Sequence, residues 1–248
     1  MIDLQQGDCL ELMKNIPDKS VDMILCDLPY GKTACRWDTI IPFKSLWENY
    51  NRIIKDNGAI CLFGTEPFST ELRHSNLKIF KYDLIWDKLS TFGFLDCKFR
   101  PLKNFEIISV FSKGGCSNGS KIPMKYNPQG VVYHNKKSRK KTNNEVFHSP
   151  IEKEHYSTGE NFPRSIVKYK IEKGFHPSQK PVPLLEYLIK TYTLEGDTVL
   201  DNCMGSGSTG VACVNTNRNF IGMELDEHYF EVAQNRIYDT VKNKEQAG

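Results

Sequence analysis

The chain has 248 residues, of which 39% are hydrophobic and 25% are charged, and its formal net charge is +3. These values are ordinary for a soluble globular protein with one sizeable α/β domain and an inserted lobe. The eight cysteines are scattered without a Cys-x-x-Cys pair, and neither a signal peptide nor an apolar run long enough to cross a bilayer is expected. We therefore expect a cytoplasmic protein in a reducing compartment, with no membrane association and no bound metal.

Strands and helices are predicted to alternate as far as residue 86, because short buried runs alternate with segments of helical apolar spacing, and a connection that contains Phe and Gly then joins two successive strands. The predicted strands are 1–8, 21–26, 59–63, 82–86 and 105–111, and the predicted helices are 9–15, 43–54 and 66–77.

Residues 112–174 differ in character from the rest of the chain. They are rich in Gly, Asn, Ser, Lys and Pro and show no clear periodicity. Since such a length without regular structure is unusual inside a compact domain, we interpret the segment as an inserted recognition lobe.

Alternation resumes after the lobe. The predicted elements are a helix at 182–193, a strand at 197–201, a helix that ends at Asn215, a strand at 219–224 and a last helix capped by Asp226. This order predicts a mostly parallel sheet with helices on both faces.

The stretch Asp27-Leu28-Pro29-Tyr30 directly follows the buried strand 21–26, at the sheet edge where α/β proteins bind ligands. A carboxylate, a proline and an aromatic ring suit chemistry on the exocyclic amine of a nucleobase, a weak nucleophile because its lone pair is delocalised into the ring. Asp27 and a nearby backbone carbonyl could accept the two N–H bonds while Tyr30 stacks on the base. Taken alone, the same residues are also typical of a strand-ending turn.

Two polar segments are candidates for contact with a nucleic acid. Residues 31–38 contain Lys32, Arg36 and Trp37 beside the proposed catalytic edge and could close over a substrate, although an ordinary connecting loop has the same composition. The run Lys136-Lys137-Ser138-Arg139-Lys140-Lys141 packs five positive charges together. It resembles a loop that contacts phosphates, and a solvated loop without a partner is the alternative.

The stretch 205–210 satisfies Gly-x-Gly-x-x-Gly between a strand and a helix, and Glu224 ends the next strand. Such glycines let the backbone approach a ligand, and the acid can take both hydroxyls of a ribose. The pattern fits a dinucleotide and S-adenosylmethionine equally. Asp201 favours the methyl donor, because a carboxylate suits a cationic group better than a pyrophosphate, and Lys180 could pair with the ligand's carboxylate. A surface lysine is the alternative for Lys180.

The order of these motifs resembles that of the amino-methyltransferases of DNA, the adenine-N6 and cytosine-N4 enzymes, in the permuted arrangement often called the beta group. Residues 27–30 match the Asp-Pro-Pro-Tyr-type tetrad, 176–181 match the segment before the cofactor helix, and 201–209 are similar to the cofactor loop. Gly222-Met223-Glu224 resembles the ribose-binding strand end, and Gly7-Asp8-Cys9 resembles the turn that reads the cofactor's adenine. The resemblance spans nearly the whole chain except 112–174.

The resemblance implies a Rossmann-like S-adenosylmethionine-dependent methyltransferase fold, with a catalytic half at 1–111, a target-recognition lobe at 112–174 and a cofactor-binding half at 175–248. It implies methyl transfer to adenine N6 of a flipped-out base in double-stranded DNA, as in restriction-modification, with cytosine N4 as the alternative. The implied catalytic residues are Asp27, Leu28, Pro29 and Tyr30. The implied cofactor-binding residues are Asp8, Cys9, Asp27, His176, Ser178, Lys180, Asp201, Gly205, Ser206, Gly207, Thr209, Glu224 and Leu225. The implied DNA-binding residues are Lys32, Arg36, Trp37, Lys136, Lys137, Arg139, Lys140 and Lys141.

Two departures from the family pattern carry expectations of their own. Leu28 replaces the first proline of the tetrad, but the carbonyl that the family uses there belongs to the backbone, so we expect activity. Asn202-Cys203 replaces Pro-Phe in the cofactor loop, so Cys203 offers less contact area and we expect a lower cofactor affinity.

Three other classes share part of this pattern. A methyltransferase of RNA or of a protein amide can use the same acid-Pro-Pro-Tyr chemistry. A nicotinamide-dependent oxidoreductase can share the glycine loop, but it leaves residues 27–30 and 176–181 unexplained. A non-catalytic DNA-binding module would bind without transferring a methyl group. The sequence leaves the oligomeric state open, and a homodimer is compatible with it.

Overall fold

The computed structural model describes residues 1–31, 39–138, 155–175 and 179–247. The strands are β1 Ile2–Gln6, β2 Val21–Cys26, β3 Ile54–Gly64, β4 Phe80–Phe92, β5 Lys103–Phe111, β6 Val132–Ser138, β7 His155–Glu160, β8 Ile166–Lys168, β9 Thr198–Asp201 and β10 Asn219–Glu224. The helices are α1 Cys9–Leu12, α2 Phe43–Ile53, α3 Phe68–Ser75, α4 Val182–Tyr192, α5 Ser208–Asn215 and α6 Glu227–Ala247.

Within the described residues, eight strands form one sheet in the order β1-β10-β9-β2-β3-β5-β4-β8. The neighbours from β1 to β3 pair in parallel, β5 runs antiparallel to both β3 and β4, and β8 adds in parallel to β4. The predicted mostly parallel sheet is confirmed. The permuted order brings the first strand beside the last, so the two ends of the sequence meet in one sheet.

The sheet is buried on both faces, which explains why β2 is apolar along most of its length. Met23 and Leu25 pack on one face in a cluster with α4, α5 and α6, whereas Ile24 and Cys26 pack on the other face with α1, α2 and α3. The predicted helices on both faces are confirmed.

Aspartates cap two of the helices that begin at the carboxyl ends of the parallel strands. The Asp8 side chain accepts a 2.8 Å hydrogen bond from the backbone N–H of Leu10 at the start of α1. Asp226 accepts a 3.1 Å hydrogen bond from the N–H of Tyr229 and begins α6, as predicted. Each cap satisfies a backbone donor that the first helical turn leaves free.

The inserted region differs from the prediction. The segment that separates as a compact unit is Pro128–Arg164, shorter than the predicted lobe at 112–174, and it contains the antiparallel pair β6–β7. The larger unit is Met1–Asn127 with Ser165–Gly248, and it includes β8. The expectation of no regular structure in the lobe was wrong, because these strands are short and lack the apolar alternation that would reveal them in sequence. Among the described residues, no helix is long and apolar enough to cross a membrane.

Candidate functional site

Four acidic residues lie at the carboxyl ends of four neighbouring parallel strands. Asp27 follows β2, Asp201 ends β9, Glu224 ends β10, and Asp8 lies two residues beyond β1. Parallel strands place their carboxyl ends at one edge, which brings these four acids together. All four line a cavity of about 530 Å³.

Most of the described residues proposed for catalysis or cofactor binding line this same cavity. They are Asp8, Cys9, Asp27, Leu28, Pro29, Tyr30, Lys180, Asp201, Gly205, Ser206, Thr209, Glu224 and Leu225. A cavity of this size is in the range that binds cofactors.

Both oxygens of the Asp27 carboxylate accept hydrogen bonds. The Tyr30 hydroxyl donates to Oδ1 and the Lys180 ammonium donates to Oδ2. The Tyr30 ring packs against Phe68 with ring centroids 4.8 Å apart. The side chain of Asp27 keeps 24% of its surface exposed, so its oxygens still face the cavity. Asp27 is therefore held in one orientation at the cavity wall, and its oxygens retain lone pairs that can accept further hydrogen bonds.

Lys180 is buried, and the alternative of a surface lysine is wrong. Its side chain is 8% exposed and its Nζ lies 5.1 Å from the centroid of the Phe63 ring. Burial alone would lower the pKa of Lys180, but the negative charges of Asp27 and Glu106 outweigh that effect and raise the pKa above the ordinary lysine value. The ammonium group therefore stays charged. The proposed partner was the ligand's carboxylate, whereas in this structure the ammonium contacts two protein carboxylates.

Glu106 is a member of the site that the sequence analysis missed. It lines the cavity from β5, its Oε1 accepts a 2.7 Å hydrogen bond from Lys88, and its Oε2 lies 3.5 Å from Lys180 Nζ. Burial raises the pKa of Glu106, but Lys180 and Lys88 lower it more, so the net pKa is below the ordinary value. The available signal was a single charge inside the apolar strand 105–111.

The glycine loop between β9 and α5 is tied to the end of β10. Glu224 accepts a 2.8 Å hydrogen bond from the N–H of Gly205 and a 2.9 Å hydrogen bond from the N–H of Asp226, one on each carboxylate oxygen. Each oxygen keeps a second lone pair for a ligand. Gly205 has φ +51, and a Cβ built there meets no protein atom within 4 Å, so this position opens into the cavity.

Asp201 is a buried carboxylate with polar neighbours. Thr209 donates a 2.6 Å hydrogen bond to Oδ2, and the backbone N–H of Cys203 donates a 3.1 Å hydrogen bond to Oδ1. Burial raises the pKa of Asp201 to about 6, although these hydrogen bonds lower it in part.

The structure explains one departure in the cofactor loop. Asn202 is buried, and its Oδ1 accepts a 2.5 Å hydrogen bond from the hydroxyl of Tyr50, which comes from α2. Its Nδ2 lies 3.5 Å from the sulfur atoms of Cys9 and Cys203. The amide that replaces a proline is thus accommodated by a buried tyrosine from the other half of the chain.

The remaining candidate residues do not line the cavity, or lie partly or wholly outside the described residues. Gly207 faces away, because a Cβ there would come within 3.0 Å of Ala233 on α6. The backbones of Lys136 and Lys137 lie in β6, but their side chains are outside the described part. The candidates that lie wholly outside the described residues are His176, Ser178, Lys32, Arg36, Trp37, Arg139, Lys140 and Lys141.

Comparison with known proteins decides the family. The family model described as DNA methylase, for N6 and N4 methyltransferases, matches residues 21–235. The chain belongs to this DNA methyltransferase family. A Type II methyltransferase of Moraxella bovis, M2.MboI, is 27% identical over 95% of this methyltransferase and 87% of its own length.

Solved structures agree with this assignment. The crystal structure of the M1.HpyAVI–SAM complex shares 26% identity, covers 95% of this chain and 100% of its own, and superposes with a TM-score of 0.62. The cytosine-N4-specific PvuII DNA methyltransferase covers 98% of this chain and 92% of its own with a TM-score of 0.69 and 16% identity, which is a likeness of fold.

The cofactor of this DNA methyltransferase is S-adenosylmethionine and its substrate is DNA. The nicotinamide interpretation of the glycine loop is therefore wrong, and so are the interpretations of the chain as a methyltransferase of RNA or of a protein amide. The Rossmann-like methyltransferase fold implied by the motifs is confirmed.

Proposed function

We propose that this DNA methyltransferase acts on adenine N6 and that it takes the target base out of the duplex. The observation that carries the proposal is Asp27, a carboxylate held by Tyr30 and Lys180 at the wall of the cavity. An exocyclic amine stacked inside a duplex cannot reach such a wall, so the base must be extruded.

The cofactor is proposed to occupy the part of the cavity formed by β1, β9 and β10. Glu224 offers one free lone pair on each oxygen and suits the two ribose hydroxyls. Asp201 offers negative charge to the cationic amino acid moiety, and Asp8 and Cys9 border the adenine. The open side of Gly205 leaves room for the ligand against the backbone. These features fit S-adenosylmethionine, which supplies an electrophilic methyl group.

The catalytic step depends on orientation of the amine. Asp27 and the backbone carbonyl of Leu28 accept the two N–H bonds of the base, which turns the nitrogen lone pair toward the methyl group. Tyr30 stacks on the base, and Pro29 restricts the turn between them. Because the electrophile is already reactive, no covalent nucleophile on the protein is needed.

The duplex is proposed to contact the smaller unit and the segment that includes Lys32, Arg36 and Trp37. The basic run 136–141 belongs to that unit in sequence, and its charge suits phosphates. Replacing its five basic residues with Gln should weaken DNA binding and flatten the salt dependence, with cofactor affinity unchanged.

Adenine is favoured over cytosine by the acid at position 27. A carboxylate is a stronger acceptor than a hydroxyl, and a purine offers Tyr30 a larger surface for stacking. The direct test is nucleoside analysis of DNA from cells that express the chain, together with sequencing that detects modified bases. N6-methyladenine at a defined site is the expected result, and N4-methylcytosine would overturn the choice of base.

The role of Asp27 has its own test. Asp27→Ala should abolish methyl transfer and leave the calorimetric affinity for S-adenosylmethionine nearly intact. Leu77→Ser, a change at an exposed position before β4, is a control that should retain both properties. Residual transfer by Asp27→Ala near the wild-type rate would contradict the mechanism.

A further inference from the structure

Several large apolar side chains are exposed along the connection between β4 and β5. We name residues 87–105 the β4–β5 arm. Leu95 is 98% exposed and Phe99 is 89% exposed, and the other large exposed apolar residues of the arm are Leu89, Phe92, Phe94 and Phe105. A cluster of exposed apolar side chains is typical of a contact surface, because exposing apolar surface to water is unfavourable.

The arm stands at the catalytic edge of the sheet. β3 runs parallel to β2, so its end at Gly64 lies at the same edge as Asp27. Gly64 pairs with Ile107 on antiparallel β5, and Glu106 pairs with Trp86 on β4. The chain therefore leaves β4 and re-enters β5 at this edge, directly beyond the cavity residue Glu106.

The tip of the arm is ordered by its own backbone. Asp96 N–H donates to the Gly93 carbonyl at 3.0 Å, and the N–H groups of Phe99 and Arg100 donate to the Asp96 carbonyl at 2.9 Å and 3.1 Å. Lys88 Nζ lies 5.2 Å from the centroid of the Phe92 ring at the base of the arm. The exposed rings are thus presented on a preformed turn.

The charge of the arm indicates what it contacts. The arm contains four basic residues, Lys88, Lys98, Arg100 and Lys103, and two acidic residues, Asp87 and Asp96. A polyanion complements this excess of positive charge. A two-fold dimer formed through the arm would instead bring the same basic surface against itself.

We propose that the β4–β5 arm is a DNA wedge, whose Leu95 and Phe99 insert into the base stack beside the target base. This inference rests on the proposed extrusion of that base and assigns the apolar element that assists it. Apolar side chains that enter between base steps unstack them and bend the duplex, while neighbouring basic residues hold the phosphates. The wedge lies next to the cavity that receives the base, so unstacking occurs where it is needed.

The test compares two variants of the full chain. Leu95→Ser/Phe99→Ser removes the wedge. Leu77→Ser/Leu194→Ser changes two leucines that are 61% and 56% exposed. These two precede β4 and β9 at the opposite edge of the sheet. The first substrate is a short duplex that carries the site mapped by modified-base sequencing. The second is the same duplex with an abasic site opposite the target base, which lowers the energy needed to extrude it.

The wedge variant should lose about tenfold or more in kcat/KM on the paired duplex and less than about threefold on the abasic duplex. The control variant should match the wild type on both. An undiminished rate on the paired duplex, or an equal loss on both substrates, would overturn the proposal. So would sedimentation that shows the wild type as a dimer and the wedge variant as an inactive monomer. A wild type that methylates no DNA would instead refute the proposed function.

Discussion

The ammonium group of Lys180 donates a hydrogen bond to the carboxylate of Asp27, although the two residues are 153 positions apart in sequence. Asp27 follows β2 in the first half of the chain, and Lys180 precedes α4 in the second. With Glu106 on the other side, the ammonium lies between two carboxylates that are mostly withdrawn from water. This arrangement fixes the orientation of Asp27 before any base enters the cavity.

Lys180→Met should lower the free energy of unfolding by about 3 kcal/mol, because it leaves two largely buried carboxylates without their shared cation. Adding Glu106→Gln should restore part of that loss, since it removes a buried carboxylate that then has only Lys88 as a cationic partner. Urea unfolding of the wild type, both single variants and the double variant measures the coupling. Strictly additive changes would show that Glu106 and Lys180 do not interact.

The buried carboxyl of Asp201 should make stability depend on pH. Burial raises the pKa of Asp201 to about 6 in the folded protein, above the ordinary 3.8. Between those values the folded state keeps a proton that the unfolded state has released. The contribution of Asp201 to stability is therefore largest below pH 3.8 and is lost as the pH rises through 6. The difference amounts to about 3 kcal/mol.

Asp201→Asn should flatten the dependence of the unfolding free energy on pH between about 4 and 6. Glu224, whose pKa is also raised by burial, should leave a smaller slope in the variant. Urea unfolding at closely spaced pH values measures both curves. An Asp201→Asn variant that keeps the full wild-type slope would show that another group is responsible.

The affinity for S-adenosylmethionine should increase as the pH rises, whereas the contribution of Asp201 to stability decreases. If ionised Asp201 attracts the cationic part of the cofactor, affinity should fall as the pH is lowered below about 6, by up to about tenfold per unit. Calorimetry at pH 5, 6, 7 and 8 with wild type and Asp201→Asn provides the measurement. The variant should bind weakly, with a much smaller dependence on pH.

Gly205→Ala should reduce cofactor affinity more than it reduces stability. Gly205 has φ +51 and its added methyl group would point into the cavity, where only the ligand competes for space. Gly196 is a matched control with φ +81 and no neighbour within 4 Å, and it lies before β9 at the far edge of the sheet. Both alanine variants should lose about 1 kcal/mol of stability through the left-handed backbone, but only Gly205→Ala should weaken binding. Equal affinities for the two would exclude the proposed role of Gly205.

The sequence predicted those parts of the site that follow from strand order. Asp27 follows an apolar strand, and Asp201 and Glu224 end two others. Parallel strands have their carboxyl ends at one edge of the sheet, so strand order alone indicates that these acids lie together. Glu106 could not be placed in this way, because it enters from an antiparallel strand whose first residues, not its last, reach the cavity edge. The hydrogen bond between Tyr50 and Asn202 could not be predicted either, because the two residues are 152 positions apart and no repeating sequence pattern connects them.

The lengths of the strands and helices were harder to predict than their presence. β4 continues to Phe92 rather than ending near Trp86, because its later residues pair with β5 in the arm without facing the core. The helix 43–54 was placed within one residue, since its buried positions repeat at helical spacing. Pattern reasoning depends on burial, so it fails where backbone pairing alone maintains a strand.

Tyr30 combines two roles that variants can separate. Its hydroxyl donates to Asp27, while its ring packs against Phe68 and borders the cavity. Tyr30→Phe removes only the hydrogen bond that orients the carboxylate, so kcat should fall by less than about tenfold with KM for DNA unchanged. Tyr30→Ala also removes the stacking surface, so it should raise KM and lower kcat further, whereas Tyr30→Trp should keep KM near the wild-type value. Steady-state kinetics on the mapped duplex, at saturating cofactor, distinguishes these outcomes. A Tyr30→Phe variant with raised KM and normal kcat would show that the hydroxyl serves binding of the base and not the orientation of Asp27.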